Sequence, residues 1–134
     1  MTPREFEHEV ARILHDTGYR DVRVLGKAGD LGADLTATDP QKIVVIVQCK
    51  RYAPGTRVGS PDVQMFIGAV ARGLHGASRG VFVTTTEFTE PARQMALAHN
   101  VELLSGSDLG RLLEEIDRRA KGLGGEPLQL RRAG

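Results

Sequence analysis

A chain of 134 residues, 40% apolar and 26% charged, has the size and composition of one globular domain able to close a core, which excludes a disordered chain. No apolar run approaches the roughly 20 residues of a membrane helix, and the charged amphipathic start is not a secretory signal. Net charge is only +1 and Cys49 is the single cysteine, so an internal disulfide and a multi-cysteine zinc site are both excluded and a reducing, cytoplasmic setting is expected.

In chain order, Thr2-Pro3-Arg4-Glu5 has the form of a helix start, with Thr2 as cap and Glu5 completing a capping box. Phe6, Val10, Ile13, Leu14 and Thr17 then share one helical face, and Gly18 ends it. Val22 to Leu25 reads as a strand, followed by a glycine-rich turn through Gly32. Leu35–Thr38 is a second strand closed by Asp39-Pro40, and 43–49 is a third, β-branched and of fully buried character. Ser60-Pro61-Asp62 is a cap-and-proline start for a helix with Val63, Phe66, Ile67, Val70 and Leu74 on one face. A strand over 80–85 follows, then a helix capped by Thr89 with Met95 and Ala96 inward, and a short strand over 101–104. Ser105 or Ser107 starts a last helix with Leu109, Leu112, Leu113 and Ile116 on its apolar face. The order α-β-β-β-α-β-α-β-α predicts a mixed sheet, a meander followed by alternating units, with helices on both faces.

Residues 118–134 carry five basic side chains against Glu126, a net of +4, which leaves −3 on the other 117. The expected division is therefore a domain over 1–117 and a basic, loosely ordered tail over 118–134 that can attract phosphate. Six aromatics and no tryptophan argue against a base-stacking platform for single strands.

The chemistry sits on the third strand. Alternation sends Val44, Ile46, Gln48 and Lys50 to one face and Val45, Val47 and Cys49 to the other. An amide and an ammonium thus end a very apolar strand on the same side, about 6–7 Å apart. Asp34 starts the preceding strand, and a hairpin between the two strands brings Asp34, Gln48 and Lys50 to one end of the sheet. A carboxylate with a neutral oxygen donor suits a hard cation such as Mg²⁺, and a lysine beside it suits the negative charge that develops in phosphodiester hydrolysis. A second carboxylate would help hold the ion. Glu7 and Glu9 sit at opposite rims of the first helix's apolar stripe, and helical geometry alone does not choose between them. The glycines at 26, 29 and 32 match no dinucleotide fingerprint. The four histidines lack zinc spacing, and Thr84, Thr85 and Thr86 are equally a phosphate contact or a plain strand end.

Taken in order, several segments resemble the catalytic domain of Mrr-type restriction endonucleases, within the PD-(D/E)xK nuclease superfamily. They are Phe6-Glu7, Gly18-Tyr19, Gly29 to Leu35, Val47-Gln48-Cys49-Lys50-Arg51-Tyr52, Val58-Gly59, Val63-Gln64, Gly80 to Thr85 and Phe88-Thr89, with Ala92 and Ala96. The resemblance covers roughly residues 3–116. It implies a restriction-endonuclease-like three-layer α/β/α fold around a central mixed sheet. It implies Asp34 as metal-binding aspartate, Lys50 as catalytic lysine and Gln48 in place of the usual acidic residue. It favours Glu7 over Glu9 as the helical carboxylate, so the implied metal set is Asp34, Gln48 and Glu7. Asp30, Gln64, Arg51 and Tyr52 take supporting or DNA-binding places, with a structural role for Asp30 in the glycine turn at least as good.

The expected activity is restriction-type, Mg²⁺-dependent hydrolysis of DNA, with Mn²⁺ as a substitute ion. The expected assembly is a homodimer, because one site per chain cuts one strand, and the expected source of sequence recognition is DNA structure, dimer geometry or a separate specificity subunit. The alternatives are a branched-DNA (Holliday junction) resolvase and a non-cleaving DNA-binding subunit that keeps the fold.

Overall fold

The computed structural model describes residues 1–26, 32–124 and 128–130. Helix α1 (Pro3–Asp16) begins with the expected capping box: Thr2 Oγ1 accepts the Glu5 N–H at 3.1 Å, and Glu5 Oε1 accepts the Thr2 N–H at 2.7 Å. It stops at Gly18, whose φ of 95° favours a residue without a Cβ. Strands β1 (Arg20–Val24), β2 (Leu35–Thr38) and β3 (Val44–Lys50) form the antiparallel meander. A two-residue strand β4 (Arg57–Val58) leads into α2 (Ser60–Ala71), and a 3₁₀ turn (Leu74–Gly76) leads into β5 (Arg79–Thr84). A second two-residue strand, β6 (Glu87–Phe88), precedes α3 (Glu90–Leu97), β7 (Val101–Leu104) and α4 (Gly106–Ala120). The main sheet has the order β1-β2-β3-β5-β7, with β3, β5 and β7 parallel, while β4 pairs with β6 apart from it.

Alternation along β3 and β5 divides the core in two. Val45, Val47, Val81 and Val83 pack with Phe6, Val10, Ile13 and Leu14 of α1 and Leu109 and Leu112 of α4. Ile46 and Phe82 pack on the opposite face with Val63, Phe66, Ala69 and Val70 of α2 and Ala92 and Ala96 of α3. On that second face Phe66, Phe82 and Phe88 meet edge to face, with ring centroids 5.5 and 5.6 Å apart. These are the three expected layers around a mixed sheet. Among the described residues no helix is long and apolar enough to cross a membrane.

Several boundaries differ from the sequence expectations. Helix α2 is capped by Gly59 rather than Ser60, because the Gly59 carbonyl accepts the Val63 N–H. Of the two serines expected to start α4, Ser105 is the cap. Met95 is only half-buried and Leu113 is 39% exposed, so the inward stripes of α3 and α4 are narrower than expected. The proposed boundary at 117/118 falls inside α4, which runs to Ala120. Leu130 is 6% exposed, joins the α1 and α4 core, and its carbonyl accepts from Arg111 Nη2 at 3.0 Å. Apolar burial there holds part of the segment that composition marked as a loose tail.

The end of the sheet away from Lys50 carries a polar knot that the sequence did not reveal. Arg79 Nη2 lies 3.0 Å from Asp39 Oδ2 and 3.1 Å from the Tyr19 hydroxyl, and Nη1 lies 3.6 Å from Glu102. Asp39 Oδ1 also accepts the N–H groups of Gln41 and Ile43, which shapes the β2–β3 turn.

Helix α2 lies so close to the sheet that a Cβ at Gly80 would sit 2.6 Å from Val70 Cγ2 and 2.7 Å from Phe66 Cε2. Gly80→Ala should therefore lower unfolding free energy by about 1–3 kcal/mol in denaturant titration, whereas Gly110→Ala, with open space around its position, should not destabilise.

Candidate active site

Asp34 lies immediately before β2 and is held from both sides. Its N–H donates to the Val47 carbonyl at 2.8 Å, and its carbonyl accepts the Leu25 N–H at 2.8 Å. Its carboxylate then reaches across to the end of β3, where Oδ2 accepts the Cys49 N–H at 2.7 Å. Its other oxygen, Oδ1, has no hydrogen-bond partner among the described residues.

Gln48 and Lys50 follow the alternation read from the sequence. Gln48 sits opposite Phe82 in the parallel register, and its Oε1 approaches Gly32 and the Phe66 and Ala69 side of the sheet. Gly32 has φ of 85°, and a Cβ there would stand 3.5 Å from Gln48 Oε1. Lys50 ends β3 opposite Thr84, with its carbonyl accepting the Thr85 N–H at 3.3 Å. Both side chains are half-buried and neither has a hydrogen-bond or ion-pair partner among the described residues. Cys49 packs against the α1 side of the core. Burial pushes its thiol well up, and the negative charges of Asp34 and Glu7 add to that, so it stays protonated and outside nucleophilic chemistry.

The charges also distinguish the two helical glutamates. Glu9 is ion-paired with Arg12 at 2.6 Å. Glu7 is half-buried, with no such pair among the described residues. Its carboxyl is raised from the ordinary value, first by burial and then by the negative charge of Asp34. Glu7 therefore stands within electrostatic reach of Asp34. It comes from the α1 face, whereas Gln48 leaves β3 on the opposite face, and Asp34 lies between them over the end of the strand.

The remaining sequence candidates are more scattered. Arg51 is exposed and close enough to Glu5 to lower its carboxyl slightly, after the larger effect of the Thr2 cap. Gln64 is exposed on α2, without a described hydrogen-bond partner. Asp30 lies outside the described residues. Tyr52 is half-buried and donates its hydroxyl to Asp62 at 3.2 Å. The threonines are strand-end fasteners: Thr84 is fully buried, and the Thr85 hydroxyl accepts from the Tyr52 N–H at 3.0 Å and donates to the Tyr52 carbonyl at 3.2 Å. Asp62 and Thr85 thus shape the site's flank, and no periodicity marked either for that task.

The residues present fit a hard divalent cation. Asp34 offers a free carboxylate oxygen, Gln48 an amide oxygen, and Glu7 a carboxylate whose repulsion from Asp34 a positive ion would relieve. No cluster of three or more His, Cys, Asp or Glu that could hold a metal occurs among the described residues. A donor set containing glutamine lies outside that pattern.

Comparison with known proteins identifies the family and the fold. The family described as restriction endonuclease, Mrr_cat, matches residues 1–113. The type IV methyl-directed restriction enzyme EcoKMrr of Escherichia coli (strain K12) is 37% identical over 122 residues, covering 86% of this chain but 39% of that enzyme. Among solved structures, AF1548, a protein of unknown function, superposes with a TM-score of 0.71 at 21% identity, over 87% of this chain and 65% of its own. The DNA modification-dependent restriction endonuclease AspBHI gives 0.66 at 20% identity, over 91% of this chain and 35% of its own. At those identities the two structures speak for the fold alone, and the chain spans well under half of the E. coli relative. With the ordered motifs, the three-layer fold and the family match in agreement, the chain belongs to the Mrr-type restriction endonuclease family of PD-(D/E)xK nucleases.

Proposed function

We propose that this domain hydrolyses DNA phosphodiester bonds with Mg²⁺, Mn²⁺ serving as a substitute, and that Asp34, Gln48, Glu7 and Lys50 carry the reaction. The observation that carries this reading is the set of half-buried polar side chains at one end of a very apolar sheet, in which Asp34 keeps one carboxylate oxygen free beside its bond to the Cys49 N–H and Gln48, Glu7 and Lys50 have no side-chain partner among the described residues. Burying such groups is costly unless a ligand completes them. Bound between Asp34, Gln48 and Glu7, the ion would polarise the scissile phosphate and acidify a water. Asp34 is held in place by its bond to the Cys49 N–H, so its free oxygen is preorganised. Lys50 places an ammonium beside the phosphate to stabilise the charge that grows on its non-bridging oxygens, and to orient the attacking water. Family membership and the likeness to a methyl-directed restriction enzyme of E. coli support DNA as the substrate.

Plasmid nicking should stop in EDTA. Lys50→Ala should lower its rate by roughly 10²–10³-fold while leaving DNA binding in place. Undiminished nicking by Lys50→Ala, or in EDTA, overturns the mechanism. Preferential cutting of a four-way junction would move the substrate to branched DNA, and tight binding without cleavage in Mg²⁺ or Mn²⁺ would make the domain a binding subunit. We further propose a homodimer as the cutting unit, and light scattering of a cleavage-competent sample should return twice the chain mass.

The Glu7 carboxyl is raised in the folded state. The folded state therefore holds that proton more tightly than the unfolded chain, and the stability it contributes is present at low pH and lost as pH rises through the raised value. In EDTA at neutral pH, Glu7→Gln should melt at a higher temperature than the parent, and this advantage should vanish below the ordinary carboxylate range. Mg²⁺ should raise the melting temperature of the parent more than that of Glu7→Gln.

A further inference from the structure

Beside Lys50 lies an open concavity of about 420 Å³, lined by Tyr52, Pro54, Arg57, Thr85 and Glu87 among others. That volume is within the range of small-ligand clefts, roughly 300–1,000 Å³. Its wall is continuous with the site: Thr85 donates its N–H to the Lys50 carbonyl and clasps both main-chain polar groups of Tyr52. The Tyr52 hydroxyl is tethered to Asp62 in the first turn of α2, so the ring is fixed rather than free.

The charges on this wall are unequal. Arg57 and Glu87 are registered opposite each other in the β4–β6 pair. Yet Glu87 turns away: its Oε2 accepts from the Ser107 N–H at 3.3 Å and the Ser107 hydroxyl at 2.8 Å, and its Oε1 faces Arg93 at 3.5 Å. Arg57 is exposed and has no ion-pair partner among the described residues. The cavity therefore presents an uncompensated guanidinium beside a fixed aromatic ring and a proline, one residue pair away from the lysine end of β3.

We propose that this concavity is a backbone subsite for the nucleic-acid strand being cut. It would take the deoxyribose of the nucleotide next to the scissile phosphate against Tyr52 and Pro54, and that nucleotide's phosphate on Arg57. Such contacts set the register of the strand at Lys50 without reading bases. Arg57 is a positioning residue here. The inference rests on the nuclease reading above, and the test separates the two.

Binding of a short fluorescent DNA duplex is measured by anisotropy with Ca²⁺ at several salt concentrations. The parent, Arg57→Gln, Arg57→Lys and Arg72→Ala are compared, with melting temperatures taken for each. Arg57→Gln should bind about tenfold more weakly, and its plot of log affinity against log salt should be shallower by about one. Arg57→Lys should restore the slope. Arg72→Ala, which removes an exposed charge at the far end of α2, should keep both affinity and slope. In cleavage, Arg57→Gln should raise KM more than it lowers kcat. Parental affinity and slope in Arg57→Gln, with cleavage still dependent on Lys50, overturns the subsite and leaves the nuclease reading standing. A parent chain that neither binds nor cuts DNA overturns both.

Discussion

The N–H of Cys49 points toward β2 at the level where that strand begins, and its acceptor is a side chain, the Asp34 carboxylate. This hydrogen bond does two things at once. It satisfies a half-buried donor that would otherwise be costly, and it pins a carboxylate over the end of the sheet with one oxygen left over. Asp34 can serve this way because its own main chain is tied to Val47 on one side and Leu25 on the other. The position of the one central acid is therefore set by the same contacts that close the meander.

Everything around Asp34 depends on β3 being buried on both faces. Val45 and Val47 belong to the core under α1 and α4, and Ile46 to the core under α2 and α3. Carried two residues further, the alternation sends Gln48 and Lys50 to the α2 side and Cys49 to the α1 side. Glu7 arrives over the Cys49 side. The candidate metal ligands thus approach from two layers, and Asp34 at the strand end lies within electrostatic reach of Glu7. At the other end of the sheet, the Arg79 knot with Asp39, Glu102 and Tyr19 holds β2, β5 and β7 together. Charges are paired there, although the buried Arg79 Nε has no hydrogen-bond partner among the described residues, while Glu7 and Lys50 at the site have no ion-pair partner among them.

That division of labour accounts for the cost of the site. Two carboxylates that repel, Glu7 and Asp34, reduce the stability of the free domain. The apolar two-sided strand beside them offsets that cost. The chain belongs to the Mrr-type restriction endonuclease family and spans 39% of the length of the E. coli relative.

Much was legible in the sequence because it is local. The capping box at Thr2 and Glu5, the stop at Gly18, the period-two split of 44–50 and the ordered motifs all follow from neighbours in the chain. β2 and β7 began and ended where β-branched and apolar runs predicted. What is non-local was not legible. Glu7 and Glu9 are equivalent by helical angle; the family resemblance favours Glu7, and the Arg12 pair and the nearness of Asp34 separate the two physically. Leu130 looked like part of a loose tail because composition cannot see the apolar gap beside α4 that it fills. Nothing in the sequence sets Arg57 apart; the fold does, by turning Glu87 toward Ser107 and Arg93. Sequence by itself determined the main helices and strands, most of their faces and the candidate residues for chemistry, since hydrogen bonding and side-chain alternation act over a few residues, whereas the short β4–β6 pair was not legible. Tertiary structure alone decided which of those residues share one field, because Coulomb and burial terms depend on distances between layers that no spacing encodes.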